Sequence, residues 1–235
     1  MAWSYLEQVP SNTPMSSSSA QIPLDFALEP DLGAQSFQYA SSNAEARRAL
    51  SRSQWQNNTL AIVGPKGCGK THLGHIWANE SGAISLNGAD VFEPKVEWKK
   101  RALWIDNAAQ ADEFALFTLI NMAITEDLKA LLLSDIDPPA HWQVQIPDLH
   151  SRLRNIQIAR IEEPDDNLLT GIILKIFKDR GLKVSDSLVS FLLTNTERSV
   201  GALRTLIMEI DAAAAVEKVN VTRNFAAKYL QQRRS

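Results

Sequence analysis

Short apolar runs alternate with longer amphipathic segments along most of the chain. Leu60-Ala61-Ile62-Val63 is an apolar run that stops at a glycine-rich turn, the pattern of a buried strand. Ala83 to Leu86, Ala102 to Asp106, Leu131 to Ser134 and Ile156 to Ala159 repeat it, so five strands are expected. Helical spacing fills the gaps. Residues 43–55 place Ala44, Ala46, Arg47 and Leu50 at such intervals, and 71–79 follow the glycine-rich turn. Residues 112–126 supply Phe114, Phe117, Leu119, Ile120 and Ala123 as apolar positions. Strands that alternate with helices imply a parallel sheet covered on both faces.

After Pro164 the strand pattern stops. Residues 165–180 bring Leu168, Leu169, Ile172, Ile173 and Ile176 onto one face, and Gly181 is a stop signal. Residues 185–194, 199–216 and 222–232 read as three more helices. The expected organisation is therefore an α/β domain over 27–163 and a small all-α domain over 164–235. Residues 1–20 form a leader with a serine run at 16–19 and breakers at Pro10 and Pro14. Residues 21–26, QIPLDF, are an apolar island beside it.

Composition narrows the class. A chain of 235 residues with 45% apolar residues builds a sizeable core and is not globally disordered. Cys68 is the single cysteine, so an internal disulfide is excluded and a reducing, cytoplasmic setting is expected. No apolar run approaches the ~18 residues of a membrane span. The start of the chain lacks the basic-then-apolar pattern of a secretory signal. The net charge is 24 − 27 = −3. Nothing global therefore favours nucleic acid, and any contact with it would need a local basic patch.

One motif carries the chemistry. Gly64-Pro65-Lys66-Gly67-Cys68-Gly69-Lys70-Thr71 satisfies G-x-x-x-x-G-K-[ST], after an expected strand and before an expected helix. The glycines let backbone N–H groups curl around a phosphate, and the helix N-terminus favours its charge. Lys70 is placed for the β- and γ-phosphates of ADP or ATP, and the Thr71 hydroxyl for Mg²⁺. The nucleotide-contacting stretch extends to His72. Cys68 reads as a small loop filler, since no His partner is indicated. Asp106 ends an apolar strand 35 residues beyond Thr71, where it can orient the same Mg²⁺. Asn107 follows it and cannot take a proton, so vigorous intrinsic hydrolysis is not expected. Ser134, at the end of the fourth strand, has two readings: a polar group beside the γ-phosphate, or a turn into Pro138-Pro139.

The set GPKGCGKT, LWIDNA, LLLSDIDPP, PDLHSRL and GALRTLIMEID, in this order and with a helical end, resembles the AAA+ P-loop NTPases. It is most similar to the bacterial DnaA-related regulators of the Hda family, over residues 21–232. The resemblance implies a five-stranded parallel sheet followed by a helical lid. It implies that Arg152 in Ser151-Arg152-Leu153 is an arginine finger offered in trans, with Arg154 the fallback. Arg204 matches the second sensor, which points from the lid at the nucleotide. Residues 37–43 match the segment that lines the adenine pocket. Gln21, Leu24 and Phe26 are similar to the peptide by which bacterial proteins bind the replication sliding clamp. The alternative for that peptide is packing on the domain. The implied function is inactivation of DnaA, in which the DNA-loaded sliding clamp of DNA polymerase III and the finger stimulate hydrolysis of DnaA-bound ATP. The resemblance further implies no sequence-specific DNA reading, since the chain stops after the lid. An autonomous ATPase that loads or remodels a replication protein is the competing reading, and a plain nucleotide-binding module a third. ADP or ATP as working ligand, monomer or homodimer, and translation start at Met1 or Met15 stay open.

Overall fold

In the computed structural model, Gly33 and residues 37–234 are described, within a compact unit, Leu32–Ser235. The expected leader and the 21–26 peptide lie outside the described residues. The elements in chain order are α1 (Ala44–Leu50), β1 (Thr59–Val63), α2 (Lys70–Ser81), β2 (Ile84–Asn87), β3 (Ala102–Asp106) and α3 (Glu113–Ile124). They continue as β4 (Ala130–Asp135), α4 (Pro147–Leu153), β5 (Gln157–Arg160), α5 (Asp166–Asp179), α6 (Asp186–Asn195), α7 (Val200–Glu217) and α8 (Arg223–Arg234). Among the described residues no helix is long and apolar enough to cross a membrane.

All five strands join one parallel sheet in the order β2-β3-β4-β1-β5. Alternation of side chains divides each strand between two cores. Ala61, Val63, Leu103, Ile105, Leu131 and Leu133 face the core covered by α3 and α4. Leu60, Ile62, Trp104 and Leu132 face the core covered by α1 and α2. Because both faces are buried, the strands read as continuous apolar runs. The register sets Asp106 beside Ser134 and Val63 beside Asp135. The carboxyl ends of β1, β3 and β4 therefore finish level, where ligands bind in open α/β sheets.

Two local readings differ from the structure. The helix expected over 43–55 stops at Leu50. The Ser51 hydroxyl donates to the Arg48 carbonyl, and the Trp55 indole N–H takes the Ala49 carbonyl, so carbonyls that would carry the helix onward are used. The helix Pro147–Leu153 was not apparent from periodicity. It spans about two turns, too few to show a repeat, although Pro147 sits at its favoured first position and Leu149 and Leu153 are buried.

Helices α5 to α8 share their own apolar cluster, which includes Ile173, Phe177, Leu192, Ile207 and Ala226. Asp165, Ser185 and Ser199 cap α5, α6 and α7, each side-chain oxygen accepting from an N–H of the first turn. The lobe touches the sheet domain where the Val200 N–H donates to the Gly67 carbonyl at 3.1 Å.

Gly74 lies inside α2, where glycine costs about 1 kcal/mol relative to alanine. The reason for it is Trp104, whose indole would lie 2.1 Å from a Cβ at this position. Gly74→Ala therefore sets a propensity gain against a displaced indole. Overpacking of this kind costs about 1–3 kcal/mol. The Trp104–Ser134 hydrogen bond is at risk as well. We expect a net loss of stability in urea denaturation. A stabilised variant would show that the indole has room to move.

Candidate functional site

The phosphate loop follows β1 without an intervening residue. Gly67 and Gly69 adopt positive φ, +73° and +108°. A Cβ on Gly67 would also land 1.8 Å from the Ser199 hydroxyl, so this glycine serves the lid contact as well as the turn. Gly64 is pinned for a similar reason, since a Cβ there would meet the Ile161 carbonyl at 2.3 Å. Helix α2 starts from the left-handed Gly69 with no side-chain cap. Helices α3, α5, α6 and α7 each have one. The first N–H groups of a helix have no partner within it, so the start of α2 offers donors that an anion can fill.

Lys70 is buried, and its Nζ donates to the carbonyls of Gly64 at 2.7 Å and Pro65 at 2.9 Å. The ammonium is thus held in the loop's own cradle, with a third donor to spare. Lys66 is exposed and Pro65 half-buried. His72 turns away from the loop. Its Nε2 donates to the Gly33 carbonyl at 3.1 Å, and its ring meets Phe37 edge to face at 5.0 Å.

Asp106 is the centre of a hydrogen-bond chain. The Thr71 hydroxyl donates to its Oδ2 at 2.7 Å. The Ser134 hydroxyl donates to Oδ1 at 2.7 Å, and the Asn107 N–H reaches Oδ1 at 3.2 Å. The Trp104 indole N–H donates to Ser134 Oγ at 2.9 Å. Ser134 is fully buried, so it meets the site only through Asp106. It is neither in a turn nor at an open phosphate position. Asn107 is left-handed, with φ 53° and ψ 47°, a backbone state that Asn adopts more readily than most residues. Its side chain is exposed and supplies no carboxylate.

Thr71 and Asp106 bring two side-chain oxygens together that could serve a metal. No cluster of three or more His, Cys, Asp or Glu exists among the described residues, so a metal held by protein alone is not offered. Mg²⁺ usually takes one or two protein oxygens and fills its shell with phosphates and water. The pair therefore fits an ion that arrives with a nucleotide. Cys68 is buried in the loop, and burial raises its thiol pKa against the opposing pull of the Lys70 charge. The thiol form is favoured, which suits a filler and not a nucleophile.

Residues 37–43 pack beside this loop. Phe37 is buried, and its ring edge lies 3.5 Å from where a Gly69 Cβ would be. Tyr39 is exposed under the Arg47 guanidinium at 3.9 Å. The cavity that adjoins them, about 390 Å³, runs away from the phosphates between α1 and α2 toward Glu80. Asn43 is buried and donates to the Gln38 carbonyl, holding the segment's path. Arg204 is half-buried and makes no hydrogen bond or ion pair among the described residues. It lies one turn beyond Val200, on the helix face that meets Gly67, and helical side chains lean toward the N-terminus.

Arg152 is elsewhere. It lines a small cavity with Gln56, Asn57, Thr59 and Asn155, at the amino end of β1 and opposite to the phosphate loop. Its guanidinium lies over the Phe117 ring at 5.1 Å, and its Nε is buried without a hydrogen-bond partner. Arg154 is exposed and has no such support. The supporting residues Trp104, Ser199 and Phe117 were not legible as site residues. Only the glycine inside α2 hinted that an aromatic ring crosses there.

No family model matches the chain. An uncharacterized protein of Haemophilus influenzae is 27% identical over 185 residues, covering 72% of this chain and 80% of its own. The chromosomal replication initiator protein DnaA of Symbiobacterium thermophilum is 27% identical over 205 residues. That match takes in 74% of this chain and 43% of the initiator, so the chain spans less than half of that protein. Among solved structures, domain III of Thermotoga maritima DnaA superposes with a TM-score of 0.71 at 19% identity, covering 87% of this chain and 97% of that one. AMPPCP-bound DnaA from Aquifex aeolicus gives 0.64 at 22% identity, over 79% of this chain and 66% of that one. The fold is the DnaA-related AAA+ fold: a five-stranded parallel sheet with helices on both faces, followed by a helical lobe.

The chain around Asp106 makes a separable prediction. Lys70→Ala should weaken nucleotide binding whether or not Mg²⁺ is present, because no neighbouring group replaces its charge. Ser134→Ala should weaken binding several-fold only with Mg²⁺, because it loosens the acid and leaves the phosphate cradle intact. Calorimetry with ATP and ADP, with and without Mg²⁺, reads both. An unchanged Mg²⁺ dependence in Ser134→Ala would show that Asp106 is oriented without it.

Proposed function

We propose that the protein is a nucleotide-binding AAA+ regulator of replication initiation that acts on a partner's nucleotide. The observation that carries this is the position of Arg152. The guanidinium sits at the far end of the sheet from its own phosphate loop, held over Phe117, with Nε lacking an acceptor. The residue is only partly buried, so the remaining guanidinium nitrogens are free to meet an acceptor on another molecule. A guanidinium near a γ-phosphate stabilises the charge that develops during transfer. The partner is DnaA carrying ATP, as the AAA+ fold shared with DnaA supports. Asn107 in place of an acid supports weak chemistry in the chain's own site, which holds ADP or ATP with Mg²⁺ between Lys70, Thr71 and Asp106.

In this reading residues 27–163 are the nucleotide domain and 164–235 the lid, with Arg204 its sensor. The 21–26 peptide recruits the sliding clamp, with Leu24 and Phe26 as apolar anchors and Gln21 as the polar contact. The protein works in the cytoplasm. An autonomous ATPase is the second reading, favoured by the complete phosphate loop and the Thr71–Asp106 pair. Turnover of ATP by the chain alone would select it.

The decisive variant is Arg152→Ala. It should keep nucleotide and clamp binding and lose stimulation of DnaA-bound ATP hydrolysis, since such fingers are worth about 10³–10⁵ in rate. Lysine should rescue poorly, because a point charge lacks the planar fork. Normal stimulation by the alanine variant would exclude Arg152 and turn attention to Arg154. Replacing Gln21, Leu24 and Phe26 together by alanine should abolish clamp binding in a surface assay without changing the melting temperature. Equal affinity would assign the peptide to packing.

A further inference from the structure

The chain is net negative, yet its cations are not evenly spread. Arg52 after α1, Lys99 to Arg101 before β3, and Lys129 before β4 are distant in sequence and exposed. The fold brings them to one end of the sheet, the amino ends of the strands. The Lys129 N–H donates to the Arg101 carbonyl at 2.9 Å, so these two stand side by side. Arg52 and Lys129 line one cavity of about 360 Å³, with Ser53, Gln54 and Asn58 as further polar groups. Its remaining lining includes Trp55 and Trp77, whose rings lie 5.3 Å apart. The Arg101 guanidinium reaches the Gly82 carbonyl at 3.4 Å, next to Ser81 of the same cavity.

None of these five cations forms an ion pair among the described residues. Glu126 and Asp127 share the turn before Lys129, but neither is ion-paired with these cations among the described residues. Lys100 Nζ instead donates to the Glu126 backbone carbonyl at 2.7 Å, and the Asp127 carboxylate accepts the Thr125 hydroxyl at 3.3 Å. Unpaired like charges repel one another, and a protein gathers them at one end where a polyanion is to be met.

We propose that this end binds the phosphate backbone of duplex DNA without regard to sequence. The charges spread over three segments and extend beyond the cavity through Lys99. That spacing suits repeated phosphates and exceeds the need of a single small anion. Nothing in the patch is a helix presented to a groove, so the contact positions the protein and does not read bases. The inference does not depend on the action proposed for Arg152, which does not line this cavity.

The test is fluorescence anisotropy of a short labelled duplex of arbitrary sequence, titrated with the full chain across a range of salt. The wild type should bind at low salt, with log affinity falling linearly in log salt. Each phosphate contact contributes about 0.9 to that slope. The triple variant Arg52→Ala, Arg101→Ala, Lys129→Ala should lower the slope by about three and weaken low-salt binding at least about tenfold. A lid variant that removes the same charge, Lys178→Ala, Lys183→Ala, Lys228→Ala, should keep the wild-type slope. Melting and nucleotide binding of both variants check that the fold is intact. The proposal is overturned if the wild type fails to bind at low salt, or if both triple variants behave alike. It is overturned as well if polyglutamate competes as strongly as duplex, which would make the patch a surface for an acidic protein.

Discussion

The grip on the Asp106 carboxylate organises this molecule. It draws a hydroxyl from α2, a hydroxyl from β4 and a backbone N–H from its own turn. Behind them the Trp104 indole fixes the β4 hydroxyl. One carboxylate therefore measures the relative positions of three elements. Any slip of β3 against β4 would break the Asp106–Ser134 register and take a donor from the carboxylate. The requirement reaches further. Trp104 must lie flat against α2, so α2 accepts glycine at 74 and gives up helix propensity there. Local stability has been traded for a fixed acid beside the phosphate loop.

That grip and the uncapped start of α2 place all anion-directed groups at the carboxyl end of the sheet. The lid enters at the same point, through Ser199 and Val200 against Gly67. Movement of the loop's backbone on binding an anion would be felt directly by the start of α7, one turn from Arg204. The amino end of the sheet has a different character. Arg152 lines one cavity there, and Arg52 and Lys129 line another. A single sheet thus separates a site for the chain's own ligand from surfaces that face outward.

Much of this was legible in the chain because the physics involved is local. Four apolar residues before a glycine-rich turn can hardly be anything but a strand into a phosphate loop. Asp106 announced itself as an acid at the end of an apolar run. The lid followed from helical spacing after Pro164. What could not be read depends on groups distant in sequence. Ser134 looked like a polar group at a strand end. Its role became visible only when β4 lay beside β3 and its hydroxyl found a carboxylate 28 residues away. His72 follows the motif in sequence, but helix geometry swings it to Phe37. The basic end is invisible to any window, since each segment contributes one to three cations and the whole chain is acidic.

The two ends bear on what the nucleotide is for. In the chain's own site the acid accepts three hydrogen bonds, the following residue is an amide, and the lysine is held by loop carbonyls. Each of these favours holding a ligand over turning it over. A group that could lower a phosphoryl-transfer barrier, Arg152, is too far along the sheet to reach that site. Binding and chemistry are thus spatially divorced within one chain. Such a division fits the proposed reading, in which the bound nucleotide acts through Gly67 and the lid and the arginine acts on another molecule. A hydrolase acting as a single copy could not bring Arg152 to its own phosphates, but one assembled from several copies could, so the amide at Asn107 is what separates the two readings.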